Sequence, residues 1–289
     1  MIKKRWIKTL FVLLAVLLAA GCQDTDKKEE AKDQADGNKE VYQFVDVLGQ
    51  QYEAELLEAV PKNTYDLKRI KKKDGYQHYT DEAGNIISKV GIDVSEYQPS
   101  VDWAKVKASG IDFAIIRVGF RGYGQEGKLV EDAMFKSHIE GALAAGLDVG
   151  VYFFSQATSV AEAEEEAGYV LNLLQNKKPD YPVFFDWEIA DVEGSRSASA
   201  TGEQITSFAS AFCKKISKAG FKAGVYFNRH LGYDYYNLET IKDFDFWLAE
   251  YQSVPAFYYD FKVWQYSDNA QVQGISTPVD INISFKKYA

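Results

Sequence analysis

Seven residues, Pro182-Val183-Phe184-Phe185-Asp186-Trp187-Glu188, constrain this chain more than any other stretch. Apolar and aromatic side chains fall on consecutive positions, so both faces of the segment must be covered. The run is short and is bounded by Pro179 and by the polar stretch after Ile189. It therefore reads as a strand buried on both sides. Side chains alternate along a strand, so Asp186 and Glu188 point the same way, roughly 6–7 Å apart. Two carboxylates at the end of a buried strand are costly to desolvate unless they have a task. The competing reading is a strand that surfaces with two solvated acids.

The rest of the chain favours the first reading. Strand-like segments recur at 91–94, 112–118, 148–154, 182–187, 222–227, 245–249, 261–266 and 278–283. Helical periodicity separates the early ones, over 101–108, 131–145, 160–174 and 203–219, and Gly110, Gly146 and Gly220 stand where helices should stop. Eight strands alternating with helices predict an α/β fold, a (β/α) TIM-like barrel. An open doubly wound sheet is disfavoured because no glycine-rich phosphate loop follows any strand. The last three strands leave little room for helices, so the barrel should be irregular there.

Before this domain (90–289) the chain changes character. Residues 41–89 read as a small β-rich appendage, with a hairpin over 79–87 turning at Ala83-Gly84-Asn85 and a solvated basic face at Lys68–Lys73. Residues 22–40 carry no large apolar side chain and read as a disordered tether. Residues 1–21 place Lys3, Lys4, Arg5 and Lys8 before an apolar run from Leu10 to Ala20, the pattern of a secretory signal. That run is short of the roughly 20 residues a membrane span needs. Leu18-Ala19-Ala20-Gly21-Cys22 is similar to a bacterial lipobox, which makes Cys22 the candidate for lipidation and a lipid anchor on the extracytoplasmic membrane face the expected location.

Lipidation of Cys22 would leave Cys213 without a partner; its helical apolar setting suggests a packed thiol. Without the four basic residues of the signal, 29 basic residues face 42 acidic ones, a net charge of −13. Such a balance argues against nucleic acid as a partner. His78, His138 and His230 are scattered without ligand spacing, so neither a metal nor another cofactor is expected; His138, near Glu140, reads as a surface residue.

In barrels of this kind chemistry gathers at the C-terminal ends of the strands. The acids there are Asp93 on the first strand, Asp186 and Glu188 on the fourth and Asp280 on the last. Closure makes the first and last strands neighbours, with the fourth across the mouth. Four converging acids repel one another and raise the pKa of at least one, as a general acid at neutral pH requires. Glycosidic bond cleavage uses such a set, one acid protonated and one carboxylate charged.

The motifs Gly91-Ile92-Asp93-Val94-Ser95-Glu96-Tyr97-Gln98, Val101-Asp102-Trp103 and Phe185-Asp186-Trp187-Glu188 resemble those of glycoside hydrolase family 25 muramidases. Gly224-Val225-Tyr226, Trp247–Tyr251, Trp264-Gln265-Tyr266 and Val279–Asn282 follow in the family's order. The resemblance runs from about residue 90 to the C-terminus. It implies cleavage of the β-1,4 bond between N-acetylmuramic acid and N-acetylglucosamine, with peptidoglycan strands as the partner. Glu188 would be the general acid. Asp186 would assist the substrate's 2-acetamido group or act through water, and Asp93 and Asp280 would support both. Tyr152, Phe154, Tyr226 and Trp264 are candidates for sugar contact or, equally, core positions. Asn228 either reaches the cleft or belongs to a loop. A departure lies at Arg117–Gly124, where many relatives carry a Lys-x-Ser/Thr-Glu-Gly stretch.

Three other readings compete: a non-catalytic glycan-binding lipoprotein, a transporter's solute-binding lipoprotein, and a hydrolase of another N-acetylglucosamine polymer. Retention of four acids argues against the first, and the absence of a two-lobed duplication against the second.

Overall fold

The computed structural model describes residues 41–45, 51–175, 177–190 and 192–288. The expected signal segment, Cys22 and the tether lie outside the described residues. The described part opens with an antiparallel hairpin, β1 (Val41–Val45) and β2 (Gln51–Glu55). A second hairpin pairs β3 (Ile70–Lys73) with β4 (Tyr76–Tyr79). Its turn is Asp74-Gly75, both at positive φ, the geometry that matches the right-handed twist of paired strands. The hairpin expected over 79–87 is present as well, in short form: Thr80 bridges Ile86, Asp81 N donates to the Asn85 carbonyl and Ile87 N to the Tyr79 carbonyl, with Gly84 at positive φ in the turn. The Asp-Gly turn supplies the stronger signal. The lysines of β3 are exposed, as expected.

The main domain follows as β5 (Lys89–Val94), α1 (Trp103–Ala108), β6 (Phe113–Arg121), β7 (Leu129–Glu131), α2 (Phe135–Ala144), β8 (Asp148–Ser155), α3 (Val160–Leu174), β9 (Val183–Trp187) and α4 (Gly202–Lys218). It ends with β10 (Ala223–Asn228), α5 (Arg229–Asp234), α6 (Leu238–Ile241), β11 (Asp245–Ala249), β12 (Val263–Ala270) and β13 (Val279–Ser284). Local signals set several boundaries. Ser159 caps α3, and Thr201 and Gln204 form a capping box on α4. Gly110, Gly146 and Gly220 adopt the positive φ of helix stops.

Eight strands close into a barrel in the order β5, β6, β8, β9, β10, β11, β12, β13, with β7 attached antiparallel to β6. All neighbours run parallel except β13, which is antiparallel to both β12 and β5. The link from β12 to β13 contains no helix, and without a crossover the next strand must run back. That reversal is the expected irregularity, and it presents the start of β13, not its end, at the mouth where the parallel strands finish.

The barrel wall separates two cores. Outside it, Phe185 packs on Phe212 of α4, with Val183, Trp187, Phe208 and Ile216 in the same cluster. Inside, Phe113, Ile115, Phe184, Tyr226, Trp247 and Val263 fill the barrel. Room for the rings comes from Gly91 and Gly224, where an added Cβ would lie 2.3 Å from Phe113 and 2.4 Å from Phe184. Cys213 is a buried free thiol on α4, bonded to the Gly224 carbonyl.

Candidate active site

The four acids converge on one cleft of about 320 Å³ at the C-terminal mouth of the parallel strands. Alternation along β9 sends Val183, Phe185 and Trp187 outward and Phe184 and Asp186 inward, with Glu188 just beyond the strand. Asp186 lies in register between Phe154 of β8 and Tyr226 of β10. Asp93 on β5 is the direct partner of Asp280 on β13.

A hydrogen-bond web fixes this floor. Asp93 Oδ2 accepts from Gln265 Nε2 at 2.9 Å and from Asn282 Nδ2 at 2.7 Å. Gln265 Oε1 in turn accepts from the hydroxyls of Tyr226 and Tyr251, each at 3.0 Å. Asn282 Oδ1 accepts from Trp247 Nε1 at 2.8 Å. Each amide thus has its oxygen held by a ring donor and its nitrogen turned towards Asp93.

Burial dominates the electrostatics. It raises Asp93 well above the ordinary carboxylate range, aided by the charge of Asp280 and opposed by the two amides. Asp186 is also raised well above that range, by burial and then by Glu188 and Asp93, with Arg117 opposing. Glu188 is raised by burial and by Asp280, and Asp280 reaches about 6 through burial and Asp268. All four carboxyl groups therefore favour the protonated form more than free ones do. Asp186 Oδ1 is buried and has no hydrogen-bond partner.

Arg117 stands on the cleft wall, its Nε donating to Asp132 at 2.7 Å and its Nη2 to Glu96 at 3.0 Å. Its guanidinium lies 5.3 Å from the Tyr97 ring centre and 5.2 Å from that of Phe120. The departure at 117–124 therefore supplies a cleft-wall cation braced by two acids. Nearby, Arg121 is buried against Glu166 at 2.7 Å, bonds Glu165, and holds the Gly127 carbonyl, which anchors the loop carrying Tyr123 over the cleft.

Tyr152, Phe154 and Tyr226 line the cleft; Trp264 does not. Gln265 and Val263 take the inward positions of β12, so Trp264 points outward into the core and donates to the Glu250 carbonyl. Asn228 caps α5 through Leu231 N and borders a neighbouring cavity. His138 is buried rather than on the surface. Because α2 starts at Phe135, positions 135, 138, 139 and 142 form its buried stripe, and His138 meets the Ser95 carbonyl. Sequence reasoning assigned no site role to Gln265, Asn282, Trp247, Tyr251 or Arg117. The i, i+2 spacing of Asp280 and Asn282 was a usable signal, since both share one face of β13.

The chain shares 30% identity over 193 residues with the autolytic lysozyme of Clostridium acetobutylicum, covering 66% of this chain and 54% of that protein. It thus spans about half the length of that relative. The modular autolysin LytC from Streptococcus pneumoniae, solved with a synthetic peptidoglycan ligand, superposes with a TM-score of 0.61 at 21% identity, covering 84% of this chain and 56% of LytC. A family 25 glycosyl hydrolase from Bacillus anthracis aligns with a TM-score of 0.59 at 19% identity, over 74% of this chain and 95% of that one. These two likenesses concern the fold. The sequence profile of the glycosyl hydrolases family 25 matches residues 92–275, nearly the whole barrel, and the chain belongs to that family.

Proposed function

We propose that this protein is a muramidase that hydrolyses the β-1,4 bond between N-acetylmuramic acid and N-acetylglucosamine in peptidoglycan. The observation that carries the reading is Asp186 beside Glu188 in the cleft, with no protein donor on the Asp186 carboxyl. A buried carboxylate oxygen without a donor is costly, and a substrate acetamido N–H would satisfy it. That bond favours the charged form of Asp186 and leaves the proton of the coupled acids to Glu188. The acetamido oxygen then attacks the anomeric carbon as the glycosidic C–O bond breaks. Glu188 gives its proton to the departing oxygen, and its carboxylate later takes one from the water that reopens the cyclic intermediate. Substrate assistance of this kind is a known variant of glycoside hydrolysis. Asp93 and Asp280 shape the field around the pair.

We further infer that Cys22 carries lipid and tethers the enzyme to the extracytoplasmic face of a membrane, on the strength of the Leu18–Cys22 motif. Cys22→Ser should then move the protein from the membrane fraction to the soluble one.

The direct test incubates residues 23–289 with purified peptidoglycan and identifies released fragments by mass spectrometry. Fragments with a reducing N-acetylmuramic acid end are expected, and Glu188→Gln should lower their rate by at least about a thousandfold, or 4 kcal/mol of barrier. Undiminished hydrolysis by that nearly isosteric variant sinks the assignment. Uncleaved peptidoglycan that still retains the protein points to binding alone.

A further inference from the structure

A second cavity, of about 550 Å³, opens beside the cleft and shares Glu188, Tyr226 and Tyr251 with it. One of its walls is Phe44 of β1, which lies outside the residues matched by the family profile. Phe44 is held by contacts on its ring. Its ring stacks on Tyr233 at 4.8 Å, and the Arg229 guanidinium sits 4.5 Å from its centre. Arg229 is itself buried and bonded to buried Glu250 at 2.7 Å. Tyr42, two residues earlier, packs on Tyr258 and donates its hydroxyl to the Ala256 carbonyl at 2.9 Å. A chain of contacts from Glu250 through Arg229 to Phe44 thus fixes the hairpin against the rim.

We propose that the β1–β2 hairpin builds a saccharide subsite on the leaving-group side of the scissile bond, with Phe44 as one of its walls. The inference rests on the muramidase reading. The cavity touches Glu188 but none of Asp93, Asp186 or Asp280. It therefore lies beyond the residue that protonates the departing oxygen, away from the one that meets the acetamido group. Its volume falls in the roughly 300–1,000 Å³ range of small-molecule sites. Its lining pairs aromatic surface with polar groups, as a pyranose ring requires: the 46% exposed Tyr251 and the rim of Phe44 for the C–H groups, Asn228, His230 and Asp234 for the hydroxyls. The Asn228 oxygen is spent on capping α5, which leaves its amide N–H groups to donate to a sugar. Continuity with the cleft makes the occupant the next sugar of the same strand.

The test compares the wild type with Phe44→Leu and Phe44→Tyr on two substrates: long peptidoglycan glycan strands and a disaccharide with a small aryl leaving group. Phe44→Leu should lower kcat/KM on long strands about tenfold, mostly through KM, the equivalent of one lost ring contact. The penalty should shrink to about twofold on the aryl disaccharide, which does not reach the hairpin, and Phe44→Tyr should restore the wild-type value. Equal kcat/KM for wild type and Phe44→Leu on long strands, with both folded by circular dichroism, overturns the subsite. So does an equal loss on both substrates, which assigns Phe44 to folding alone. A wild type that cleaves neither substrate overturns the muramidase reading and takes the subsite with it.

Discussion

Asp93 and Asp280 are direct partners across the antiparallel pairing of β5 and β13, at the seam where the barrel closes. The reversal of β13 brings them together, since it returns the start of that strand to the mouth. Burial followed by the charge of Asp280 lifts Asp93, while burial and Asp268 lift Asp280 to about 6. Functional geometry at this seam opposes stability, which makes it testable.

Asp280→Asn should stabilise the protein at neutral pH. The folded-state pKa lies above the unfolded value near 3.8, so the native state binds more protons and loses stability as pH rises from about 4 through about 6. Removing the charge should recover about 1–3 kcal/mol above that window and almost nothing near pH 4. Thermal unfolding at about pH 4 and pH 7.5 measures both, and equal melting temperatures at the higher pH contradict the account.

The same substitution should shift the activity profile. In the proposed mechanism Glu188 gives up its proton, so kcat/KM should fall as pH rises through its raised pKa. Asp280 supplies part of that rise, and Asp280→Asn should move the alkaline limb to lower pH. An unmoved limb, measured on soluble glycan strands, separates Glu188 from Asp280.

Gln265→Leu removes one donor from Asp93 and strands the hydroxyls of Tyr226 and Tyr251. A loss of about 1–3 kcal/mol in denaturant titration is expected. Activity should drop at least about tenfold. Trp264→Phe, on the outward face, should cost stability while leaving KM unchanged.

Gly91→Ala places a methyl group against the Phe113 ring at 2.3 Å. Overpacking of this kind costs about 1–3 kcal/mol. Phe113→Leu in the same chain should recover part of the loss, and a double-mutant cycle on melting temperature reads the coupling.

Arg121→Leu leaves Glu166 buried without its cation. Breaking a buried pair costs about 3–5 kcal/mol. Burial already raises Glu166 to about 7, so protonation relieves the defect in acid. The destabilisation should therefore be smaller near pH 5.5 than near pH 8.5 in parallel unfolding curves.

The barrel was legible because its signals are local. Consecutive apolar residues at 183–185 demand cover on both faces, and helix 160–174 and strand 245–249 fall where periodicity puts them. Parity along β9 already placed Asp186 and Glu188 together. Of the two positions open to Trp264, the structure takes the core one: the inward face of β12 is set by Gln265 meeting Tyr226 across the barrel, a contact no local pattern announces. His138 failed because the start of α2 at Phe135 sets the phase of its stripe.

Periodicity alone determined that eight strands would form, the early ones separated by helices, and that acids would fall on the first, fourth and last of them, because backbone hydrogen bonding and the burial of apolar faces act over a few residues. Only the tertiary structure decided the direction of β13, the web joining Asp93 to Gln265 and Asn282, and the docking of Phe44 beside the cleft. Each depends on contacts between segments far apart in the chain, and no local pattern encodes which of them will meet.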